Sequence, residues 1–344
     1  MSIGSMIFKQ ANAVKNYLQD IPYIHEKIME IRNKRYFTKP EIHERMLADE
    51  SRVSAYYKAI KKYISPGDIA VDLGTGTGIL AMFASKAGAR KVYAIDHSDI
   101  IEMAEFLAKD NDIDNVVFFK GHSRSFAPQE KVTAIIHEQM GSELFNEYLI
   151  QNITDLRDRI LAPGGKILPS KFELFLEPVS LKPSYKMPFL WERDLFGLKF
   201  SGTRRFIQES KDFSALARTT LQRRILPDEV EHLLCNPEPV FKFDLYQAGS
   251  DTFGCTWHQQ RSIVQDGEID GYCLYFKTLF DDEIFIQNGP NDRRTSWNCH
   301  FIRSEAIPVS KGDRIGVDWD VKDICNVSTW THATTVLERA GSAS

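Results

Sequence analysis

Val71-Asp72-Leu73-Gly74-Thr75-Gly76-Thr77-Gly78-Ile79-Leu80 reads as a buried strand, a glycine turn and the first residues of a helix. Without a Cβ the chain turns sharply there and comes close to a ligand. The helix start then offers that ligand unpaired N–H groups. One helix further on, Val92-Tyr93-Ala94-Ile95-Asp96 is a second strand ending in an acid, placed to accept hydrogen bonds from two ribose hydroxyls. The pair predicts a site for a nucleoside-containing cofactor. The glycines are spaced G-x-G-x-G, not G-x-G-x-x-G as in the dinucleotide fingerprint. Asp72, just before the turn, would attract a cation and repel a pyrophosphate. S-adenosylmethionine, with adenosine, an ammonium group and no phosphate, fits better than NAD.

Outward from that stretch the sequence alternates strand and helix. Strands are expected at 69–73, 91–96, 115–120, 132–138 and 166–169, with helices at 78–88, 99–111 and 144–161. Such alternation predicts an α/β, Rossmann-like, doubly wound parallel sheet, with ligands at the carboxyl ends of the strands. Asp72, Asp96, Gly121-His122 and Glu138 all fall at such ends. Upstream, apolar residues at helical spacing predict a helix over 8–34, read as a packing helix with capping of the pocket as the alternative. A second helix is expected over 42–63. Downstream of Pro169 the pattern changes to mainly antiparallel β, with strands near 240–246, 253–258, 261–265, 271–277, 297–303 and 314–320. A helical insert at about 189–225 carries Arg204, Arg205, Arg218, Arg223 and Arg224.

The 344 residues allow one large or two medium domains, and the net charge of −4 gives no nucleic-acid footprint. No run of about 18 apolar residues suggests a membrane span, and the start shows no secretory pattern. The five cysteines are scattered, with no C-x-x-C pair, which argues against a metal site and a disulfide framework. A reducing, cytoplasmic setting is expected.

Glu138 closes the fourth strand and Glu147 follows nine residues later. A hairpin-like loop brings both carboxylates to one pocket, with Glu143 facing away. Facing carboxylates repel and call for a cation between them. A planar guanidinium suits, since its forked N–H groups bond two acids. The other reading is two ordinary surface acids.

From about Tyr36 to about Ile315 the sequence resembles the protein arginine methyltransferase family. The blocks that carry the likeness are Ile42-His43-Glu44-Arg45-Met46-Leu47-Ala48-Asp49 with Arg52; Asp72 to Val92; Glu138 to Glu147 with Met140-Gly141; Leu161-Ala162-Pro163-Gly164-Gly165; Trp191 to Gly197; and Thr295-Ser296-Trp297. The resemblance implies a helical extension at 1–35, a donor-binding Rossmann-like domain at 36–169, and a β-barrel substrate domain at 170–344 with a dimerisation arm at about 198–226. It implies that Arg52 holds the donor's carboxylate. Asp72, Gly74, Gly76 and Gly78 would hold its amino-acid end, and Asp96 its ribose. His43, Met46, His122, Ser123 and Glu138 also fall to the donor. Glu138 and Glu147 would be catalytic, gripping the guanidinium, with Tyr36, Met46 and Trp297 around the acceptor.

Some positions depart from the family. Thr38-Lys39-Pro40 replaces its second tyrosine, Cys299 a glutamine, and Arg124 the acid that contacts adenine. Ser296 stands for a histidine that ties the acid at Asp49 to the barrel, so that tie is expected to be lost. The resemblance implies an arginine N-methyltransferase acting on protein arginine or free L-arginine, as a homodimer. A methyltransferase of another small-molecule amine or hydroxyl is the alternative.

Overall fold

The computed structural model of the chain describes residues 22–186, 194–200, 202–209, 222–249 and 254–341. Residues 8–21 of the expected first helix and much of the 189–225 insert lie outside these. Three helices come first: α1 (Pro22–Tyr36), α2 (Pro40–Leu47) and α3 (Glu50–Tyr63). The single helix expected over 42–63 is therefore two. Pro40 opens α2, where its missing N–H costs nothing. Asp49 divides α2 from α3, because its carboxylate accepts the Arg52 backbone N–H at 3.0 Å and starts a new helix.

The alternating segment forms β1 (Ile69–Leu73), α4 (Ile79–Lys86), β2 (Lys91–Asp96), α5 (Ile101–Asp110), β3 (Val116–Lys120), β4 (Val132–His137), α6 (Leu149–Ile160) and β5 (Leu161–Leu168). The five strands are parallel, in the order β3-β2-β1-β4-β5. The α/β expectation holds. Every residue of β1 is buried, as a central strand covered on both faces requires. Strand order reverses between β1 and β4, so a crevice opens at their carboxyl ends.

After β5 the chain becomes antiparallel. The first strands are β6 (Lys171–Leu181), the short pair β7 (Asp194–Leu195) and β8 (Leu198–Lys199), then helix α7 (Gly202–Glu209) and β9 (Gln222–Ile225). There follow β10 (Val230–Leu233), β11 (Pro239–Asp244), β12 (Cys255–Ser262), β13 (Gly267–Leu279), β14 (Phe285–Gln287), β15 (Cys299–Val309), β16 (Arg314–Val321) and β17 (Thr331–Glu338). One sheet runs β10-β6-β13-β15-β9, with β11 and β14 joined to it, and a second runs β12-β16-β17. Together they make a barrel-like half. Residues 222–225, expected within a helical arm, are instead a strand paired with β15. The halves share one core: Phe145 of the first packs its edge on Phe243 of the second.

Candidate active site

Three positive-φ glycines shape the turn after β1: Gly74 (φ 73°), Gly76 (φ 54°) and Gly78 (φ 82°). A Cβ on Gly74 would stand 2.8 Å from Gln139 Nε2, and one on Gly76 3.0 Å from the His43 ring. Side chains thus close on this turn from α2 and from the end of β4. Asp72 is fully buried. One of its oxygens accepts from Thr75 Oγ1 (2.6 Å) and Ala81 N (3.0 Å), and the other has no partner. Burial pushes this carboxyl up to about 7, against those two hydrogen bonds. Asp96 accepts from Gly76 N at 3.0 Å and from Ser98 N and Oγ at 2.8 Å.

At the neighbouring strand end, Glu138 meets Arg52 of α3. The Arg52 Nη2 pairs with one Glu138 oxygen, while the other is buried without a partner. Arg52 also donates to Ser296 Oγ (3.2 Å), passes Met46 Sδ at 3.7 Å, and lies 4.9 Å over the Trp297 ring. Trp297 is itself anchored through Nε1 to the Met140 carbonyl at 2.7 Å. With Ser296 in place there is no histidine to tie Asp49, yet Asp49 still reaches the barrel half by accepting the Ser296 backbone N–H at 2.5 Å. A backbone donor thus stands in for the side chain that serine lacks.

The loop from Glu138 to Glu147 folds back through a bridge between Gly141 and Leu144. A Cβ at Gly141 would stand 1.9 Å from Asn146 Oδ1, so any larger residue there would have to displace the Asn146 side chain. Glu143 turns away to an ion pair with His300 at 3.1 Å, which holds its carboxyl below the ordinary range despite burial. Burial pushes Glu138 up to about 8, against Arg52 and helped by Glu147, Asp49 and Asp72. It pushes Glu147 up to about 7, against Arg52 and Arg224. Arg52 pairs directly with Glu138 alone, and Glu147 feels Arg52 and Arg224 only at longer range, so two desolvated carboxylates leave room for a further cation.

A cavity of about 250 Å³ lies above the strand ends, lined by Gly74, Asp96, His122, Ser123 and Glu147 among others. Its far wall is α1. The expectation of a plain packing helix is corrected, since Glu26, Glu30, Asn33 and Lys34 all face the cavity. Tyr36 lies outside that wall and its hydroxyl accepts from Arg45 at 2.8 Å, whereas Phe37 lines it. His43 pairs through Nε2 with the Phe37 carbonyl at 2.7 Å and so fixes this corner. Gln139, Tyr148 and Asn152 line the cavity too. Sequence reasoning missed them, although Gln139 stands beside a strand end and the same rule that singled out Glu138 would find it. Among the described residues no cluster of His, Cys, Asp or Glu could hold a metal ion, and no helix is long and apolar enough to cross a membrane.

Comparison with known proteins shows what the chain is similar to. The ribosomal protein L11 methyltransferase (PrmA) family pattern matches residues 55–170. Protein arginine N-methyltransferase 6 of Xenopus tropicalis is 30% identical over 298 residues, which cover 82% of this chain and 84% of that protein. Protein arginine N-methyltransferase 2 of Dictyostelium discoideum is 38% identical over 176 residues, half of this chain. The matched stretch is 34% of the Dictyostelium protein, and it is 48% and 52% of two further curated relatives. Among solved structures, the Trypanosoma brucei PRMT1 enzyme-prozyme heterotetrameric complex with AdoHcy superposes with a TM-score of 0.71 at 24% identity, over 83% of this chain and 88% of that one. That likeness shows the fold.

Proposed function

The chain belongs to the protein arginine N-methyltransferase family, and on that premise we propose that it is an S-adenosylmethionine-dependent N-methyltransferase of guanidino groups, on protein arginine or free L-arginine. The observation that carries the proposal is the Glu138 carboxylate: one oxygen is committed to Arg52 and the other is buried with no partner, beside a second desolvated acid, Glu147. A substrate guanidinium supplies the missing N–H donors and the missing charge.

Bound S-adenosylmethionine supplies a methyl group on a positively charged sulfur. The free oxygen of Asp72 fits a cationic group, and the turn at Gly74, Gly76 and Gly78 admits a ligand against the backbone. Asp96 serves the ribose, His122 and Ser123 the base, and Arg52 the carboxylate, with His43 and Met46 closing that side. Glu138 and Glu147 orient the guanidinium and draw its positive charge toward the nitrogens they bond. The remaining nitrogen would keep lone-pair density toward the methyl carbon, whose bond to sulfur would break to release the uncharged thioether, and the nitrogen's proton would pass to Glu138, Glu147 or water. Catalysis is then alignment and electrostatic preorganisation rather than strong-base chemistry. Trp297 and Tyr36 belong to the acceptor side, Trp297 by holding Arg52 in place.

We read the protein as a cytoplasmic homodimer. Support for the first part is five free cysteines, four of them buried. Support for the second is apolar exposure at the entry to the arm segment, at Phe196 and Leu198. Label transfer from S-adenosylmethionine to a guanidino nitrogen tests the function. Label appearing only on a non-guanidine amine or hydroxyl would contradict it.

A further inference from the structure

Helix α1 lies along the cavity and is fastened by polar ties. Glu26 and Glu30 are one turn apart, so both carboxylates leave the same face. Glu26 is ion-paired with Arg124 Nη2, in the loop after β3. Glu30 lies 3.4 Å from His122 Nε2. His122 Nδ1 accepts the Arg124 backbone N–H at 3.1 Å, so in the neutral ring the proton is on Nε2, facing Glu30. Burial keeps that ring's pKa below the ordinary histidine value. On the other flank, His25 Nδ1 is 2.6 Å from the Tyr148 hydroxyl, in the residue after Glu147. Apolar packing is partial: Tyr23 and Ile31 are 67% and 61% exposed, Ile24 and Ile28 are half-buried, and Met29 packs on the core.

We propose that Arg124, acting through Glu26, is a positioning residue that latches α1 over the methyl-donor pocket and so sets how fast the donor and its demethylated product leave. Arg124 need not touch the donor: the cavity wall includes Glu26, Glu30, His122 and Tyr148 but not Arg124. The inference rests on the reading of this cavity as the donor pocket. A half-exposed ion pair is modest in strength, and reversing one charge replaces attraction by repulsion. It is also screened by salt.

The full chain tests this with two readouts. One is the dissociation rate of S-adenosylhomocysteine, and the other is amide hydrogen exchange of residues 22–36 in protein without donor. Arg124→Glu is expected to raise the dissociation rate by roughly three- to tenfold and to speed exchange in α1, with a higher KM for donor and no matching loss of kcat. Glu26→Gln moves both readouts the same way by less. Adding Glu26→Arg to Arg124→Glu restores both, which a merely structural arginine would not allow. Unchanged exchange and unchanged dissociation in Arg124→Glu overturn the latch, as does failure of the charge swap to restore them. A wild-type protein that binds no donor overturns the donor-pocket reading instead, and α1 exchange then still decides the latch.

Discussion

At the scale of single residues, the two oxygens of Glu138 have different fates, one on Arg52 and one buried without a partner. With Glu147 close enough to raise it further, the pair favours its protonated forms. Both carboxyls stand above their ordinary range, at about 8 and about 7. The stability they contribute is therefore present at low pH and is lost as pH rises through 7 and 8. A bound guanidinium reverses the preference, because it wants both acids ionised. Affinity for free L-arginine should rise between pH 6 and about 8.5, with release of roughly one to two protons. Calorimetry in buffers of different ionisation enthalpy measures both, and a flat affinity without proton release would contradict the assignment. The two acids were legible in the sequence through their spacing and the guanidinium argument. Arg52's pairing with Glu138 was not, since 86 residues separate them and no local pattern encodes such a contact.

At the scale of elements, Asp49 does two things at once. It caps α3 through the Arg52 N–H and holds the Ser296 N–H of the barrel half. Asp49→Ala should cost about 1–2 kcal/mol, read as a lower denaturation midpoint, and should loosen Arg52. A loss under about 0.3 kcal/mol would show that neither contact matters. The first four parallel strands were legible because each is a short, largely apolar run between turn signals, whereas β5 starts five residues earlier than expected because Pro163-Gly164-Gly165 reads as a turn. The same signal failed for β12, expected as two pieces, because its exposed face carries Thr256, His258, Gln260 and Ser262. It failed for β17 because Thr331–Glu338 has no fully buried residue. Helix α1 was legible as a helix, but between packing and capping the sequence favoured the wrong reading, since its working face is polar and its partners, Arg124 and Tyr148, lie about a hundred residues away.

At the scale of the molecule, the parallel sheet supplies the strand ends, and the barrel half braces the loop that carries the acids. Trp297 holds the Met140 carbonyl and Thr278 meets Met140 Sδ at 3.1 Å. Lys62 and Tyr63 bond Asp281, and Arg157 donates to the Leu245 and Ala248 carbonyls. The site is therefore built where the halves meet, as pockets often are. The exposed Phe196 and Leu198 predict a dimer by light scattering at micromolar concentration, and a monomer there would contradict it. The measurement that bears most directly on the central claim is transfer of labelled methyl from S-adenosylmethionine, with free L-arginine and an arginine-rich protein as acceptors, followed by mass spectrometry, for the wild type and Glu138→Gln. The account predicts label on a guanidino nitrogen and a loss of about 10²–10³-fold in rate on substitution, the scale for removing one preorganised charge partner. An unchanged rate in Glu138→Gln, or label absent from every guanidino nitrogen, would contradict it.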